Sequence, residues 1–194
     1  MPRVSDAYRE ARRDEIARAA MRRLGSQGFA RTTMSDIIEE SGMSAGAIYS
    51  HFASKAEIAQ HVARLTVGTK VEELIDLATS AQPPLDPVQI ISFVLGAAQE
   101  AGIPPTLLLQ VWAEATVDAG VREIVDETVE RLRGAYGAAI EPWLEAKGRQ
   151  TDAASVQSVV DTMIGLSQGF IVKSALFGRD DPMAYLSGVA ELLR

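Results

Sequence analysis

The segment Thr33 to Lys55, TMSDIIEESGMSAGAIYSHFASK, gathers the side chains best suited to contact an anion. Its centre, Ser44-Ala45-Gly46-Ala47, is uniformly small, so a helix starting there could press close to another surface. The first backbone N–H groups of a helix lack partners within it and favour negative charge. Tyr49, Ser50 and His51 follow, each able to donate to a phosphate oxygen, and Lys55 adds a charge. Residues of these types, in this order, suit a nucleic-acid backbone. They suit catalysis poorly. His51 and His61 are the only histidines, and no nucleophile elbow is expected to use His51 as its base. Without cysteine, a zinc site would need mostly carboxylates. The expectation is a protein that is not an enzyme, with no cofactor and no metal.

Helices must position these groups. Ile16, Ala20 and Leu24 recur every four residues between charged positions, which predicts an amphipathic helix over about 7–27. Gly28 ends it, and Phe29 can fold back on its apolar stripe. Thr33 with Asp36 reads as a capping box, and Met34, Ile37, Ile38 and Ser41 share a face of the helix that follows. Gly42 stops that helix. Ser44 caps the next, with Ala47, Ile48 and Phe52 facing inward. Ser54 and Glu57 form a second expected box, opening a helix to about Ala78. Two short helices joined by a tight glycine-containing turn form a helix-turn-helix, whose second helix can enter the major groove.

Further helices follow. Asp86-Pro87 opens 87–101 and Pro104-Pro105 opens 105–117. Asp118 to Gly120 reads as a turn. A long helix runs from Val121 towards Lys147, kinked at Pro142, and Gly148 closes it. Asp152 opens an apolar helix to about Phe177, and Asp181-Pro182 opens 182–193. No strand alternation interrupts them. The fold class is all-α, with about nine helices: a three-helix DNA-binding domain over 1–55, helix 4 linking from about 54, and a second domain over 56–194.

The net charge of −7 is unevenly spread. Residues 1–64 hold ten Arg/Lys against eight Asp/Glu, a balance of +2, and the remainder carries −9. A locally basic first third would orient an encounter with phosphate, although ordinary surface variation could also produce the asymmetry. Arg3, Arg9, Arg12, Arg13, Arg18, Arg22 and Arg23 surround no apolar core, so the N-terminus does not read as a secretory signal. No membrane span is expected, and a cytoplasmic location is.

The stretch Gly28-Phe29, Thr32-Thr33-Met34, Ile37-Ile38, Ser41-Gly42-Met43-Ser44, Gly46-Ala47-Ile48-Tyr49-Ser50-His51-Phe52 and Lys55 resembles the N-terminal signature of the TetR family of transcriptional repressors, over roughly 8–62. The resemblance implies a homodimer whose third helices read the half-sites of a palindromic double-stranded operator. It also implies a C-terminal domain that binds a small molecule and respaces the reading heads. The family's DNA-contacting positions fall on Thr33, Ser44, Ala45, Gly46, Tyr49, Ser50, His51 and Lys55. Many relatives carry larger polar side chains at Ala45 and Ser50, so direct base readout would be sparse.

Beyond that signature, the run 106–114, with its Trp-Ala-Glu piece, resembles the family's sixth helix. A small apolar or amphipathic ligand is expected, with Phe93, Leu108, Trp112, Met163, Gln168 and Phe170 as candidate contacts; plain core is the alternative for each apolar one. Asp161 and Gln168, seven apart, could serve a ligand or an interface. Gly165 and Gly169 form a notch for close helix approach, and with Asp161 and Lys173 they mark the expected dimer interface. A buried intrachain helix is the alternative.

Overall fold

A computed structural model describes residues 6–178 and 181–192, so Arg3 and the expected helix end at Leu193 lie outside the described residues. Among those described there are nine α-helices and no strand: α1(Asp6–Gln27), α2(Met34–Ser41), α3(Ala45–Tyr49), α4(Lys55–Ser80), α5(Pro87–Glu100), α6(Pro105–Glu114), α7(Ala119–Ala146), α8(Ala153–Phe177) and α9(Pro182–Leu192).

The helix starts follow their caps. Thr33 and Asp36 form the expected box, Ser44 accepts from the Ala47 amide, and Asp86 forms a further box with Gln89. Gly42 ends α2 in the left-handed region at φ 67°, which only glycine adopts freely. Three details differ from expectation. Glu57 does not complete a box with Ser54, because its carboxylate accepts from the Ala53 amide instead. Asp118 is the N-cap of α7, accepting from Val121 N at 2.8 Å, so the helix begins before Val121 and α6 ends at Glu114. Ala47 is exposed, whereas Ile48 and Phe52 are buried. α7 continues through Pro142.

Two apolar cores result. One joins Ile16, Leu24, Phe29, Ile37, Ile48, Phe52 and Ile58 with Leu107 and Val121 from α6 and α7. The other joins Leu74, Ile90, Ile91, Tyr136, Ile140, Val160 and Phe170. α4 contributes Ile58 and Val62 to the first and Leu74 and Ala78 to the second, so it connects the two. The first core crosses the expected domain boundary near residue 55.

α8 is long and apolar enough, by length and composition, to cross a membrane, with a mean hydropathy of 1.2. It packs as a core helix, burying Val160, Met163, Ser167, Phe170 and Ser174. It is not covered on all sides, since Asp161, Gly165 and Gly169 are exposed.

The capping box sets a pH-dependent test. The Thr33 hydroxyl (2.6 Å) and amide (2.7 Å) both donate to Asp36 Oδ2, holding that carboxyl below its ordinary range, the hydroxyl most strongly. Its stabilisation is present above the ordinary value and fades as pH falls through the depressed one. Thr33→Val should bring the NMR titration of Asp36 back towards the ordinary range and flatten that part of the acid-unfolding profile. An unchanged Asp36 midpoint would refute this.

Candidate nucleic-acid interface and apolar cavity

The polar backbone of the α1–α2 connection determines how α2 and α3 sit. The Gly28 amide donates to Leu24 O at 2.9 Å and the Thr32 amide to Gly28 O at 3.2 Å. The Thr33 amide goes to Asp36. The Phe29 amide leaves the segment altogether and donates to Gln110 Oε1 on α6 at 3.0 Å. The carbonyls of Phe29 and Thr32 accept from Lys55 Nζ at 2.6 and 2.9 Å, with the ammonium 4.3 Å from the centre of the Phe29 ring. Lys55 is therefore not an outward phosphate contact. Its side chain satisfies two loop carbonyls that no helix serves. Burial lowers its pKa, opposed by Glu114 and Asp118.

α3 stands on this support. Within it only Ile48 is buried, while Ala45, Gly46 and Ala47 are exposed and Tyr49 is 54% exposed. A Cβ added at Gly46 would meet nothing within 4 Å. Ser44 Oγ accepts from Ala47 N at 3.2 Å and Ser50 Oγ donates to Ala47 O at 2.7 Å. The His51 carbonyl accepts from Arg13 Nη1 at 2.6 Å, and the same guanidinium lies 4.1 Å from the Phe52 ring. Ser44, Ala45, Gly46, Tyr49, Ser50 and His51 are thus all on or beside one turn, and Thr33 is exposed separately at the start of α2. α3 is only five residues long, so side chains and open backbone, rather than a helix dipole, give this surface its chemistry.

Catalytic readings find no support in the arrangement. Contrary to the expectation of no Gly-x-Ser-x-Gly elbow, the spacing occurs twice, at 42–46 and 165–169. Neither stretch is a strand-to-helix elbow. Ser44 is a helix cap, and Ser167 lies inside α8, donating to Met163 O at 3.0 Å. Glu10, Asp14 and His61 bring donor atoms within 4.8 Å of one another. A 3.0 Å contact between His61 Nε2 and Asp14 Oδ1 accounts for that pairing as a hydrogen bond tying α4 to α1.

A cavity of about 230 Å³ lies between the two cores. Of the candidate contacts, Phe93, Leu108, Trp112 and Gln168 line it. Met163 and Phe170 do not: both are core, and Phe170 packs on Tyr185 at 5.3 Å between ring centres. The sequence reading missed Met21, Leu24 and Phe29, which form part of the wall from α1 and the α1–α2 connection. Their apolar type had marked them as core, and nothing in their spacing distinguishes a core wall from a cavity wall. Tyr136 was missed too. Its hydroxyl lies 2.8 Å from Ser167 Oγ, and burial pushes its pKa up to about 12, so it stays neutral.

Gln110 ties this wall to the connection above it. A Cβ on Gly28, at φ +83°, would lie 2.1 Å from Gln110 Oε1. The positive φ favours glycine there, and a side chain would displace the Gln110 amide from its bond to the Phe29 amide.

Along α8, Asp161, Gly165, Gly169 and Lys173 recur every four residues in one row. Asp161 accepts from Arg133 and from Gln157, a Cβ on Gly165 would meet nothing within 4 Å, and the Lys173 ammonium is 5.6 Å from the Tyr185 ring. Nearby, Leu176, Phe177 and Met183 are exposed.

Residues 16–62 match the family described as "Bacterial regulatory proteins, tetR family". The chain is similar to the HTH-type transcriptional regulator TtgR of Pseudomonas putida, 36% identical over 112 residues, covering 58% of this chain and 46% of that one. It therefore spans about half the length of that relative. It is 26% identical to the uncharacterized HTH-type transcriptional regulator YfiR of Bacillus subtilis, covering 98% of this chain and 92% of that one. In fold it resembles a transcriptional regulator from Saccharomonospora viridis solved in complex with choline, at TM-score 0.71 and 20% identity, covering 95% of each chain.

Gln110→Leu strands the Phe29 amide and should destabilise the protein by about 1–3 kcal/mol, the usual cost of an orphaned buried donor. Lys55→Met, which strands two carbonyls, should cost a similar amount. Urea unfolding checks both. If Lys55→Met leaves stability unchanged, the ammonium is not holding the loop.

Proposed function

We propose, from the match of residues 16–62 to the tetR family of bacterial regulatory proteins, that the chain is a member of that family and a homodimeric, sequence-specific DNA-binding repressor, released from a palindromic operator by a small apolar or amphipathic molecule. The observation that carries the reading is the shared wall of the cavity. Met21, Leu24 and Phe29 from the DNA-binding side and Leu108, Val111 and Trp112 from α6 face one space. A molecule filling it touches both parts and cannot be indifferent to their relative placement. If it favours a placement that DNA does not, each ligand weakens the other by the same factor, and a coupling of about 1–3 kcal/mol suffices for release. The neighbour solved with choline supports occupancy of this fold by a small organic molecule.

On this reading Thr33, Ser44, Ala45, Gly46, Tyr49, Ser50 and His51 meet the operator. Lys55 acts behind them, holding the loop. With little side-chain length at Ala45, Gly46 and Ser50, much of the affinity comes from phosphate contacts. The small-residue stripe of α8, together with α9, forms the dimer interface, which suits close helix approach. The protein works in the cytoplasm with its DNA.

Selection from a random duplex pool should recover a palindrome, with affinity falling steeply as salt rises. Tyr49→Phe should weaken binding to all sequences rather than relax preference. Failure to enrich any duplex at low salt would remove the DNA-binding reading.

Gly165→Arg isolates the interface, because the single chain has room for a side chain there. Sedimentation at micromolar concentration should show a dimer for the wild type and a folded monomer for Gly165→Arg. A variant that remains fully dimeric would refute this placement of the interface.

A further inference from the structure

We infer that the cavity takes an uncharged molecule whose single hydrogen-bonding group, a hydroxyl or phenol, is set against the Gln168 side-chain amide. The inference rests on the cavity being the ligand site. It follows from which polar groups on the wall are already committed. Thr128 Oγ1 donates to Ile124 O at 2.7 Å. Ser167 Oγ spends its only hydrogen on Met163 O, so the Tyr136 hydroxyl is the donor in the Tyr136–Ser167 pair. That leaves the Tyr136 oxygen with acceptor capacity and no hydrogen to give. Lys70 Nζ is held by Glu73 Oε2 at 2.7 Å and Glu100 Oε2 at 3.0 Å. The Gln168 amide, by contrast, has no hydrogen-bond partner among the described residues although it lines the cavity.

This inventory disfavours charge of either sign. An anion would find Lys70 already shared between two carboxylates, a local balance of −1. A cation would find no carboxylate in the wall, since its acidic neighbours Glu73 and Glu100 are not part of the lining. Of the aromatic rings in the wall, that of Phe29 already has the Lys55 ammonium 4.3 Å from its centre. A charge moved into such a space gives up water for nothing. A hydroxyl fits it. It can accept from the Gln168 N–H and donate to the Gln168 oxygen, or to the Tyr136 oxygen, which lines the same cavity. Ile164 and Ile171 flank Gln168 on the same face of α8 and would hold the apolar remainder.

Four probes on one skeleton test this by calorimetric titration of the whole chain: para-butylphenol, para-butylbenzoate, para-butylbenzylammonium and butylbenzene. The phenol should bind roughly tenfold or more tightly than either charged relative and measurably better than butylbenzene. In Gln168→Leu, with folding checked by urea unfolding, the advantage of the phenol over butylbenzene should collapse. A charged relative that equals the phenol, or a phenol advantage that survives Gln168→Leu, overturns the inference while leaving the cavity as a ligand site. Binding by none of the four, butylbenzene included, overturns the cavity reading and the inference with it.

Discussion

Six residues between α1 and α2 must bury one side, with Phe29 and Thr32 almost fully covered, yet have no regular structure to occupy their backbone groups. A buried amide or carbonyl without a partner costs about as much as a lost hydrogen bond. The connection therefore borrows partners from outside: Lys55 of α4 for two carbonyls and Gln110 of α6 for one amide. α4 and α6 both reach into the rest of the molecule, so the exposed turn is anchored to the elements that wall the cavity. The same constraint bears on Gly28, where the positive φ favours glycine and a side chain would push the Gln110 amide off Phe29.

A second consequence concerns α8. Its cavity side carries Ile164, Gln168 and Ile171, while Gly165 and Gly169, about a quarter-turn further round the helix, are exposed. Asp161, seven residues before Gln168, is exposed close to the same face as Gln168. The cavity-lining Ile164 and Ile171, together with the buried Val160, Met163 and Phe170, give the segment the length and hydropathy of a membrane span.

Charge supports this division of roles. Around α1 many arginines are spent within the fold: Arg22 and Arg23 on Glu40 and Glu39, Arg13 on His51 and Phe52, and Arg12 on Glu15. The basic balance of the first third thus braces α1 against α2 and α3 as much as it presents charge outward. Such exposed pairs contribute little stability each, but they fix the angle at which the exposed turn is held.

Local chemistry made much of the chain legible in advance. Thr33, Ser44, Asp86 and Asp152 cap helices because their short oxygen-bearing side chains reach an amide two or three residues on, and Gly42 and Gly148 end helices because they tolerate positive φ. These are interactions over a few residues, so the all-α class, most helix starts and the helix-turn-helix follow from the order of residues. The destination of a long side chain is a different matter. Lys55 has the type and position of a phosphate contact, but two carbonyls some twenty residues upstream in the chain compete for it and win. Met163 and Gln168 lie on one apolar helix, yet only packing decides that the first is core and the second faces empty space. Met21, Leu24 and Phe29 are apolar whether they fill a core or wall a cavity. Periodicity reports which face of a helix avoids water, and it carries no information about whether the neighbour on that face is protein or a gap.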